Sequence, residues 1–396
     1  MTLEEILAMP EVERKIYYLK KGRKTEQPNV HALYNDWNPN KHEIVIDEEK
    51  YPKIKITTQP EKRITDPSTG KEYVEPAVKK EVDPNRIALP IEQDIVNIQT
   101  AFTVGTEPVL DCQPDGTEEN LLSALKQVFK KNKLKYQNKK VVRAWLAEQE
   151  VAEYWYVVKD DGFWAKLKRK ISGIFGKSKP EYRLKSAIWS PFRGDKLYPF
   201  FNDQGDLIAL SREYKKKDLN DVEITCFMTI TKDMVYQWEL TSNWTDKGSF
   251  AHGFKKMPVI YMYRPEAYCE KIKSLRVRLE KLLSSYADCI DYHFFPILML
   301  FGDVQNFSGE FKNRVVELTG QGANAQYLTW SQVPDTVKFE VETLLSQIYG
   351  LTNTPRISFD SLKGTGNAVS GVTFDYVFMS THLNVENPVS YTHLRA

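Results

Sequence analysis

Two glycine-bearing segments contain residue types that could bind a nucleotide. Gly176-Lys177-Ser178 has the last residues of a phosphate-binding loop, but that motif needs a glycine five positions before Gly176, where this chain has Ile171. Gly364-Thr365-Gly366 begins like a dinucleotide fingerprint, but Val369 stands at the position of the third glycine. Since neither motif is complete, the sequence predicts no nucleotide site.

Histidine and carboxylate side chains are the other candidates for chemistry. Tyr286, Asp288 and Asp291 lie in one predicted helix, where nearby positions favour contacts with an adjoining subunit over acid–base catalysis. The histidines are scattered without the spacing of metal ligands: His31, His42, His252, His293 and His382. We therefore assign no catalytic residue, no metal and no cofactor.

Basic residues are concentrated in two places. Charged positions of one predicted helix are Lys271, Lys273, Arg276, Arg278, Glu280 and Lys281. Such a basic face is expected on a helix that lies beside nucleic acid. It is equally expected on a helix that is simply exposed to water. Residues 164–180 are also basic; we interpret them as a solvated loop or short amphipathic helix, with a nucleic-acid patch as the alternative.

Apolar periodicity predicts the two helices that position most of these residues. The first spans 266–295, with steps of three and four at Ile272, Leu275, Leu279, Leu282, Tyr286, Cys289 and His293. The second spans 335–355 and repeats the pattern at Val337, Val341, Leu344, Ile348 and Leu351. It begins at Pro334-Asp335 and ends at Asn353-Thr354-Pro355. The two stripes predict that the helices lie against each other.

Strands are predicted between these helices, and a mobile loop after them. Residues 294–302 have the pattern of a buried strand, and residues 314–318 and 325–330 are two more strands with Gly320 and Gly322 at the turn between them. Residues 360–371 contain three glycines, which favour a mobile loop before helical residues 372–383.

The part before residue 266 mixes helices with an antiparallel sheet. Residues 1–21 are predicted to form an amphipathic helix with Leu3, Ile6, Leu7 and Ile16 inward, and helical patterns return at 90–102 and 118–150. Residues 59–84 favour an exposed loop or hairpin. Strand-like runs that predict one antiparallel sheet lie at 155–158, 187–189, 207–210, 224–230, 234–240 and 259–263.

Composition indicates a soluble multidomain protein. The 396 residues are 41% hydrophobic, enough for two or three cores, and the net charge of +2 excludes strong global attraction to nucleic acid. The charged start of the chain has no signal-peptide pattern, so we expect the protein to stay in the cytoplasm. We predict reduced, buried structural cysteines, because no C-x-x-C pair occurs among Cys112, Cys226, Cys269 and Cys289.

The order of these segments resembles phage portal proteins of the Gp6-like family. SSYADCIDYHFFPILMLFG at 284–302 resembles that family's first stem helix entering the clip, and AQYLTWSQVPDTVKFEVETLLSQIYGLTNTPRISFD at 325–360 resembles the clip exit and second stem helix. SLKGTGNAVSG at 361–371 resembles the tunnel loop, and NRIALPIEQDIVNIQTAFTVGTEPV at 85–109 resembles an early wing segment. Together these matches cover about two-thirds of the chain.

The resemblance implies an α+β portal fold with an antiparallel-sheet wing, two stem helices, a small α/β clip and a tunnel loop. The expected divisions are a wing at 1–265, the first stem helix at 266–295, the clip at 296–334 and the second stem helix at 335–355. Residues 356–387 would hold the tunnel loop and the start of a long wing helix.

The resemblance also implies a function without catalysis. The expected assembly is a homo-oligomer, a dodecameric ring around a channel for double-stranded DNA, located at the virion portal vertex after assembly in the host cytoplasm. The clip would dock terminase and then the head–tail connector, the wing would contact the major capsid and scaffolding proteins, and no membrane would be involved. Terminase would supply the energy, so the chain would not be an enzyme.

Lys363, with Gly364 and Gly366, is the first candidate for contact with DNA in the channel, followed by the helix cations named above. A single flexible cation can follow a moving phosphate without holding it, although a lysine on a solvated loop explains the pattern equally well. Two other classes stay open. A nucleic-acid-processing enzyme would need a carboxylate cluster or a complete phosphate loop, and a non-portal capsid or adaptor protein would form oligomers without a DNA-sized pore.

Residues 388–396 have a different origin in our interpretation. VSYTHLRA at 389–396 resembles the translation of a transposon-end adapter used in sequencing libraries, in a frame that also supplies part of the Pro388 codon. We therefore exclude this segment from fold reasoning. We expect the natural sequence to be truncated near Asn387 in this chain, so that the rest of the family's long helix, wing and crown is missing.

Overall fold

The computed structural model describes residues 1–59, 62–65, 72–106, 109–112, 116–159, 182–217, 221–293, 297–307, 316–328, 334–356, 379, 381 and 391–392. It is a mixed helix-and-sheet protein with antiparallel sheets, as an α+β chain should be. Two compact units divide it. The first unit contains Met1–Trp37, Pro90–Lys271 and Tyr349–Ala396, and the second contains Asn38–Leu89 and Ile272–Ile348.

The helices within the described residues are α1 (Leu3–Leu7), α2 (Val12–Lys21), α3 (Val30–Trp37), α4 (Glu43–Ile46), α5 (Ile91–Val104), α6 (Gly116–Lys131), α7 (Leu134–Glu148), α8 (Lys273–His293) and α9 (Pro334–Leu351). The strands there are β1 (Ile54–Gln59), β2 (Lys62–Thr65), β3 (Glu72–Glu75), β4 (Val78–Val82), β5 (Glu150–Lys159), β6 (Tyr182–Trp189), β7 (Lys196–Phe201), β8 (Leu207–Lys217), β9 (Glu223–Ile230), β10 (Met234–Leu240), β11 (Trp244–Ala251), β12 (Val259–Tyr263), β13 (Ile297–Phe307), β14 (Val316–Leu328) and β15 (Tyr391–Thr392).

Two antiparallel sheets form the centre of the first unit. One has the order β11-β10-β9-β8-β7, and the other has the order β15-β12-β5-β6. All six predicted strand runs are present, but the prediction of a single sheet was wrong. It missed β7, an edge strand that contains Pro199, and β11, which is polar and largely exposed. Inward residues of both sheets, such as Tyr154, Leu210 and Tyr261, share one hydrophobic core.

The N-terminal helices cover the other face of the five-stranded sheet. Ile16 and Leu19 of α2 pack with Phe227 and Trp238 in a second buried cluster. The predicted continuous helix over residues 1–21 is instead two helices, because Pro10 stands between α1 and α2. The inward positions of Ile6 and Ile16 are confirmed, and Leu3 and Leu7 pack partly buried at the edge of the cluster.

Leu19→Ala should destabilise the first unit by about 2–5 kcal/mol, because it leaves a cavity in a fully buried cluster. The matched control is Leu121→Ala, since Leu121 of α6 is 67% exposed and its loss should change the free energy of unfolding by no more than about 0.5 kcal/mol. Urea unfolding followed by tryptophan fluorescence measures both variants. Equal effects of the two substitutions would contradict this packing.

A polar cap ends α9 where the sequence predicted that it would stop. Asn353 has a positive φ of 46°, and the Gln99 side-chain amide donates to the carbonyl oxygens of Thr352 at 3.3 Å and Asn353 at 3.2 Å. The Tyr268 hydroxyl donates to the Thr352 oxygen at 2.5 Å. These contacts satisfy carbonyls that a helix end leaves without intrahelical partners.

A carboxyl group is buried at the end of α7, which with α6 occupies the region predicted helical at 118–150. Glu148 accepts a hydrogen bond from the Phe192 backbone N–H at 2.7 Å and is 8% exposed. Burial raises the pKa of Glu148 to about 7, and hydrogen bonds from Phe192 and Ser190 and the charge of Arg193 oppose part of that rise. The folded protein therefore binds this proton more tightly than the unfolded chain.

Glu148→Gln tests this arrangement through the pH dependence of stability. Since the folded pKa of about 7 lies above the ordinary 4.5, stability contributed by this group is present at low pH and is lost as pH rises between these values. The glutamine keeps the acceptor for the Phe192 N–H and does not ionise. The free energy of unfolding of Glu148→Gln, relative to that of the wild type, should therefore increase by up to about 3 kcal/mol as pH rises from 4.5 to about 7. Urea unfolding from pH 5 to pH 8 measures it, with exposed Glu119→Gln as control. Parallel pH curves for wild type and Glu148→Gln would contradict the assignment.

The described part of the second unit contains α4, α8, most of α9, two strand pairs formed by residues 54–82 and the pair β13–β14. Strand β1 pairs with β4 and β2 pairs with β3, both antiparallel, which confirms a hairpin where residues 59–84 predicted a loop or hairpin. The predicted first helix is α8, which starts at Lys273 after a 3-10 turn. Helix α9 starts at Pro334, as predicted.

The strands between α8 and α9 differ from the sequence prediction. Instead of two strands with a turn at Gly320 and Gly322, residues 316–328 form the one strand β14 along β13. The register passes from Phe301↔Asn324 to Asp303↔Thr319, so residues 320–323, which include both glycines, lie at an irregularity in the strand pairing rather than in a turn. Phe301 is 46% exposed, which contradicts its assignment to a buried strand. The α/β character expected for residues 296–334 stays a prediction, because residues 308–315 and 329–333 lie outside the described part.

Several predictions fall on residues that the structure does not describe. They include the basic segment 164–180, the glycine loop 360–371 with Lys363, Gly364 and Gly366, and all of the helix expected at 372–383 except Met379 and Thr381, which are helical. Tyr391 and Thr392, which we attribute to an adapter, pair with β12. Buried cysteine is confirmed for Cys226 and Cys269, whereas Cys112 is half-buried and Cys289 is exposed.

Candidate functional site

Helix α8 is the element from which the candidate site is built. Its predicted apolar stripe is buried at Leu279 and half-buried at Leu275, Leu282 and Tyr286, while Ile272 is buried just before the helix begins. On α9 the corresponding stripe is buried at Leu344 and Ile348 and half-buried at Val337 and Val341. The stripe is therefore the more buried side of α9 up to Leu351, which is exposed. On α8 the stripe becomes exposed at Cys289, and the adjoining polar side is buried as well, at Arg276, Glu280 and Ser284.

An ion pair joins the two helices. The Arg278 guanidinium on α8 donates from Nε at 2.8 Å and from Nη2 at 2.6 Å to one carboxylate oxygen of Glu340 on α9. Both side chains remain partly exposed, so the pair fixes geometry more than it adds stability. The direct packing of the two apolar stripes stays a prediction.

An extended segment before α5 is clamped along α8. The backbone N–H groups of Asn85, Ile87 and Leu89 donate to side chains that lie one helical turn apart. Their acceptors are Asp288 Oδ1 at 2.7 Å, Ser284 Oγ at 2.9 Å and Glu280 Oε1 at 2.9 Å. Two residues of extended chain rise about 6.7 Å and four residues of helix about 6 Å, so alternate amides match successive turns.

The Asn85 side chain closes one end of this clamp. Its amide donates to Asp288 Oδ1 at 3.1 Å and to Asp291 Oδ2 at 2.6 Å. Both carboxylates therefore bind a residue of their own chain, and their contact with an adjoining subunit stays a prediction. A signal was present in the sequence: acceptor side chains recur every four residues at Glu280, Ser284 and Asp288.

Glu280 lies at the buried end of the clamp. Its carboxylate is 1% exposed and, besides the Leu89 N–H, contacts His42 Nδ1 at 2.6 Å and Arg276 Nη1 at 3.3 Å. His42 and Arg276 are themselves buried. Burying a carboxylate is costly unless charged and polar partners compensate it, and here three partners come from separate places in the sequence.

The burial of Arg276 corrects the predicted basic face. We expected Arg276 and Glu280 on the wet side of the helix, but each is 1% exposed and they pair with each other four residues apart. A charged side chain can be buried when a buried partner of opposite charge lies one helical turn away, so the residue type alone does not show that it is exposed. Arg276 is therefore removed from the candidates for contact with DNA.

The other predicted cations lie in different surroundings. Lys271 belongs to the first unit, where its ammonium lies 5.7 Å from the Tyr268 ring centre; burial and the nearby Arg264 lower its pKa. Lys273 is half-buried, Arg278 pairs with Glu340, and Lys281 is exposed. Within the described part of α8, Lys281 has no carboxylate partner, so it is the strongest remaining candidate for phosphate contact on this helix.

The described residues contain no group of three or more histidine, cysteine, aspartate or glutamate side chains placed to hold a metal ion. Among them there is also no helix with the length and apolar character needed to cross a bilayer.

Comparison with known protein families defines the class of this protein. The family described as phage portal protein, SPP1 Gp6-like, matches residues 40–388, which include α8, the β13–β14 pair and α9. The chain therefore belongs to the SPP1 Gp6-like family of phage portal proteins. No curated protein matches it. Membership implies a structural subunit of an oligomeric ring at the portal vertex of the virion, in association with the capsid.

Glu280→Ala should open the clamp, because it leaves the Arg276 charge and the Leu89 N–H buried without their acceptor. The expected loss of stability is about 3–5 kcal/mol. Hydrogen exchange of residues 83–89, read by mass spectrometry, measures the local effect directly, and their amides should lose protection. The control is Glu342→Ala on the exposed side of α9. Unchanged protection in Glu280→Ala would contradict the role of this carboxylate.

Proposed function

We propose that this protein is the portal vertex subunit that forms the ring-shaped channel through which viral DNA is packaged and ejected. The observation that carries the proposal is the family match over residues 40–388, because it spans the helix, strand pair and helix from which such a channel would be built. In a dodecameric ring, α8 and α9 of every subunit line the channel wall. The β13–β14 pair is the docking element for terminase and later for the head–tail connector.

The charge arrangement on α8 suits a channel that lets DNA slide. Strong phosphate binding by many cations would hold the duplex in place. Arg276 is neutralised by buried Glu280 and Arg278 by Glu340, which leaves Lys281 exposed on this helix. A sparse ring of single cations, with Lys363 as a second candidate, attracts the duplex while exchanging phosphates rapidly.

The remaining assignments follow from this architecture. The sheets of the first unit act as the wing that contacts major capsid and scaffolding proteins. Terminase supplies the energy for packaging, and this chain acts by geometry. Assembly takes place in the host cytoplasm, and the finished ring resides in the virion.

Lys281→Glu should leave ring assembly intact and reduce packaged DNA several-fold, since it converts every subunit's exposed channel cation into an anion. Packaging into proheads, measured as DNase-protected DNA, reads the effect, and electron microscopy checks the rings. The control is Lys232→Glu, which makes the same charge change at an exposed turn between β9 and β10. Equal packaging by the two variants would contradict a channel position for Lys281.

A further inference from the structure

A lysine-rich segment in the first unit has no role in the function proposed above. Residues 126–140 contain seven lysines and no aspartate or glutamate. They form the end of α6, a short turn and the start of α7. The segment also has a helical pattern, and the absence of acidic residues distinguishes it from an ordinary solvated helix.

The turn between α6 and α7 brings a lysine of its own to the same opening as two lysines of α6. Lys133 has a positive φ of 51°, which ends α6 and redirects the chain. The Asn132 side-chain amide holds the turn by donating to the Val128 oxygen at 3.0 Å and the Leu184 oxygen at 2.9 Å. Lys126, Lys130 and Lys133 consequently border the same cavity.

Apolar side chains share the lining of the cavity that these lysines border, and we call Val109, Leu110 and Phe129 its floor. The volume of the cavity is about 1040 Å³. Val109 is 93% exposed, and Phe129 is only half-buried, so apolar surface is open to water at the site. Exposed Leu121 and Leu125 extend the apolar side of α6 beyond the cavity.

The part of the chain that the structure describes does not neutralise the lysines at the rim. Among the described residues, Lys126, Lys130 and Lys133 have no carboxylate oxygen within ion-pair distance. A ligand that complements this surface needs both negative charge for the rim and apolar groups for the floor. A nucleic-acid backbone supplies the charge but leaves the floor exposed to water, whereas an acidic amphipathic helix supplies both.

We propose that the groove where Lys126, Lys130 and Lys133 surround the Val109, Leu110 and Phe129 floor binds an acidic amphipathic helix of a partner protein. The apolar side of that helix covers the floor, and its carboxylates pair with the lysine rim. The inference does not depend on the channel function, because all of its residues lie in the first unit. The affinity falls as ionic strength rises, since the rim is solvent-exposed.

The probe is a fluorescein-labelled peptide of about 18 residues, with leucine at helical spacing and glutamate on the other side. A scrambled peptide of the same composition keeps the charge and removes the apolar side. Duplex DNA of about 30 base pairs is the third ligand, since it tests simple phosphate binding. Fluorescence anisotropy with the purified chain measures all three affinities.

We expect the amphipathic peptide to bind at least about tenfold more tightly than the scrambled peptide, a difference of about 1.4 kcal/mol. The triple variant Lys126→Glu/Lys130→Glu/Lys133→Glu should lose this binding. Lys232→Glu/Lys255→Glu/Lys256→Glu, at exposed positions of the same unit, should keep it and controls for total charge. Phe129→Ser, checked for folding by circular dichroism, should weaken the amphipathic peptide and leave the scrambled peptide unchanged.

Three results would overturn the proposal. They are equal affinity for the two peptides, equal loss in both triple variants, and tighter binding of duplex DNA that depends on the three rim lysines. The last result would assign the groove to nucleic acid instead.

Discussion

The buried carboxylate of Glu280 imposes the central constraint on the second unit. A charge taken out of water must be compensated by partners, and removing any one of them leaves the others uncompensated. Here the partners are His42, the Leu89 N–H and Arg276, which lie up to 238 positions away from Glu280 in the chain. Residues from the start of this unit are thereby tied to α8 by a polar network at its buried end.

Hydrogen bonds then extend this attachment along the helix. Glu280, Ser284 and Asp288 accept alternate backbone amides of the extended segment at nearly the spacing that helix and strand geometry share. The extended segment needs no second strand beside it, because the helix side chains satisfy its donors. Helix α8 is consequently supported on one side while Lys281 and its neighbours on the other side stay exposed.

The sequence predicted the features that depend on neighbouring residues and missed those that depend on distant ones. Apolar spacing located α8 and α9 because a helix repeats every few residues, and Pro334 and Asn353 marked the limits of α9. The same reasoning placed Arg276 in water, because burial of an arginine depends on a carboxylate and a shielding segment that periodicity does not reveal. The irregular pairing at residues 320–323 of β14 was missed for a related reason, since the register of β14 is set by pairing with β13.

Family membership and local geometry support one account of the second unit. In the function proposed above, α8 is a channel-wall helix and β13–β14 is a docking element, while the ion pairs of Arg276 with Glu280 and of Arg278 with Glu340 neutralise charges of α8 within the chain. The most direct test is electron cryomicroscopy of the purified protein in closed rings. The account predicts a central pore wide enough for duplex DNA, with α8 in its wall and Lys281 facing the lumen. A pore too narrow for a duplex, or rings with α8 on the outer rim, would contradict it.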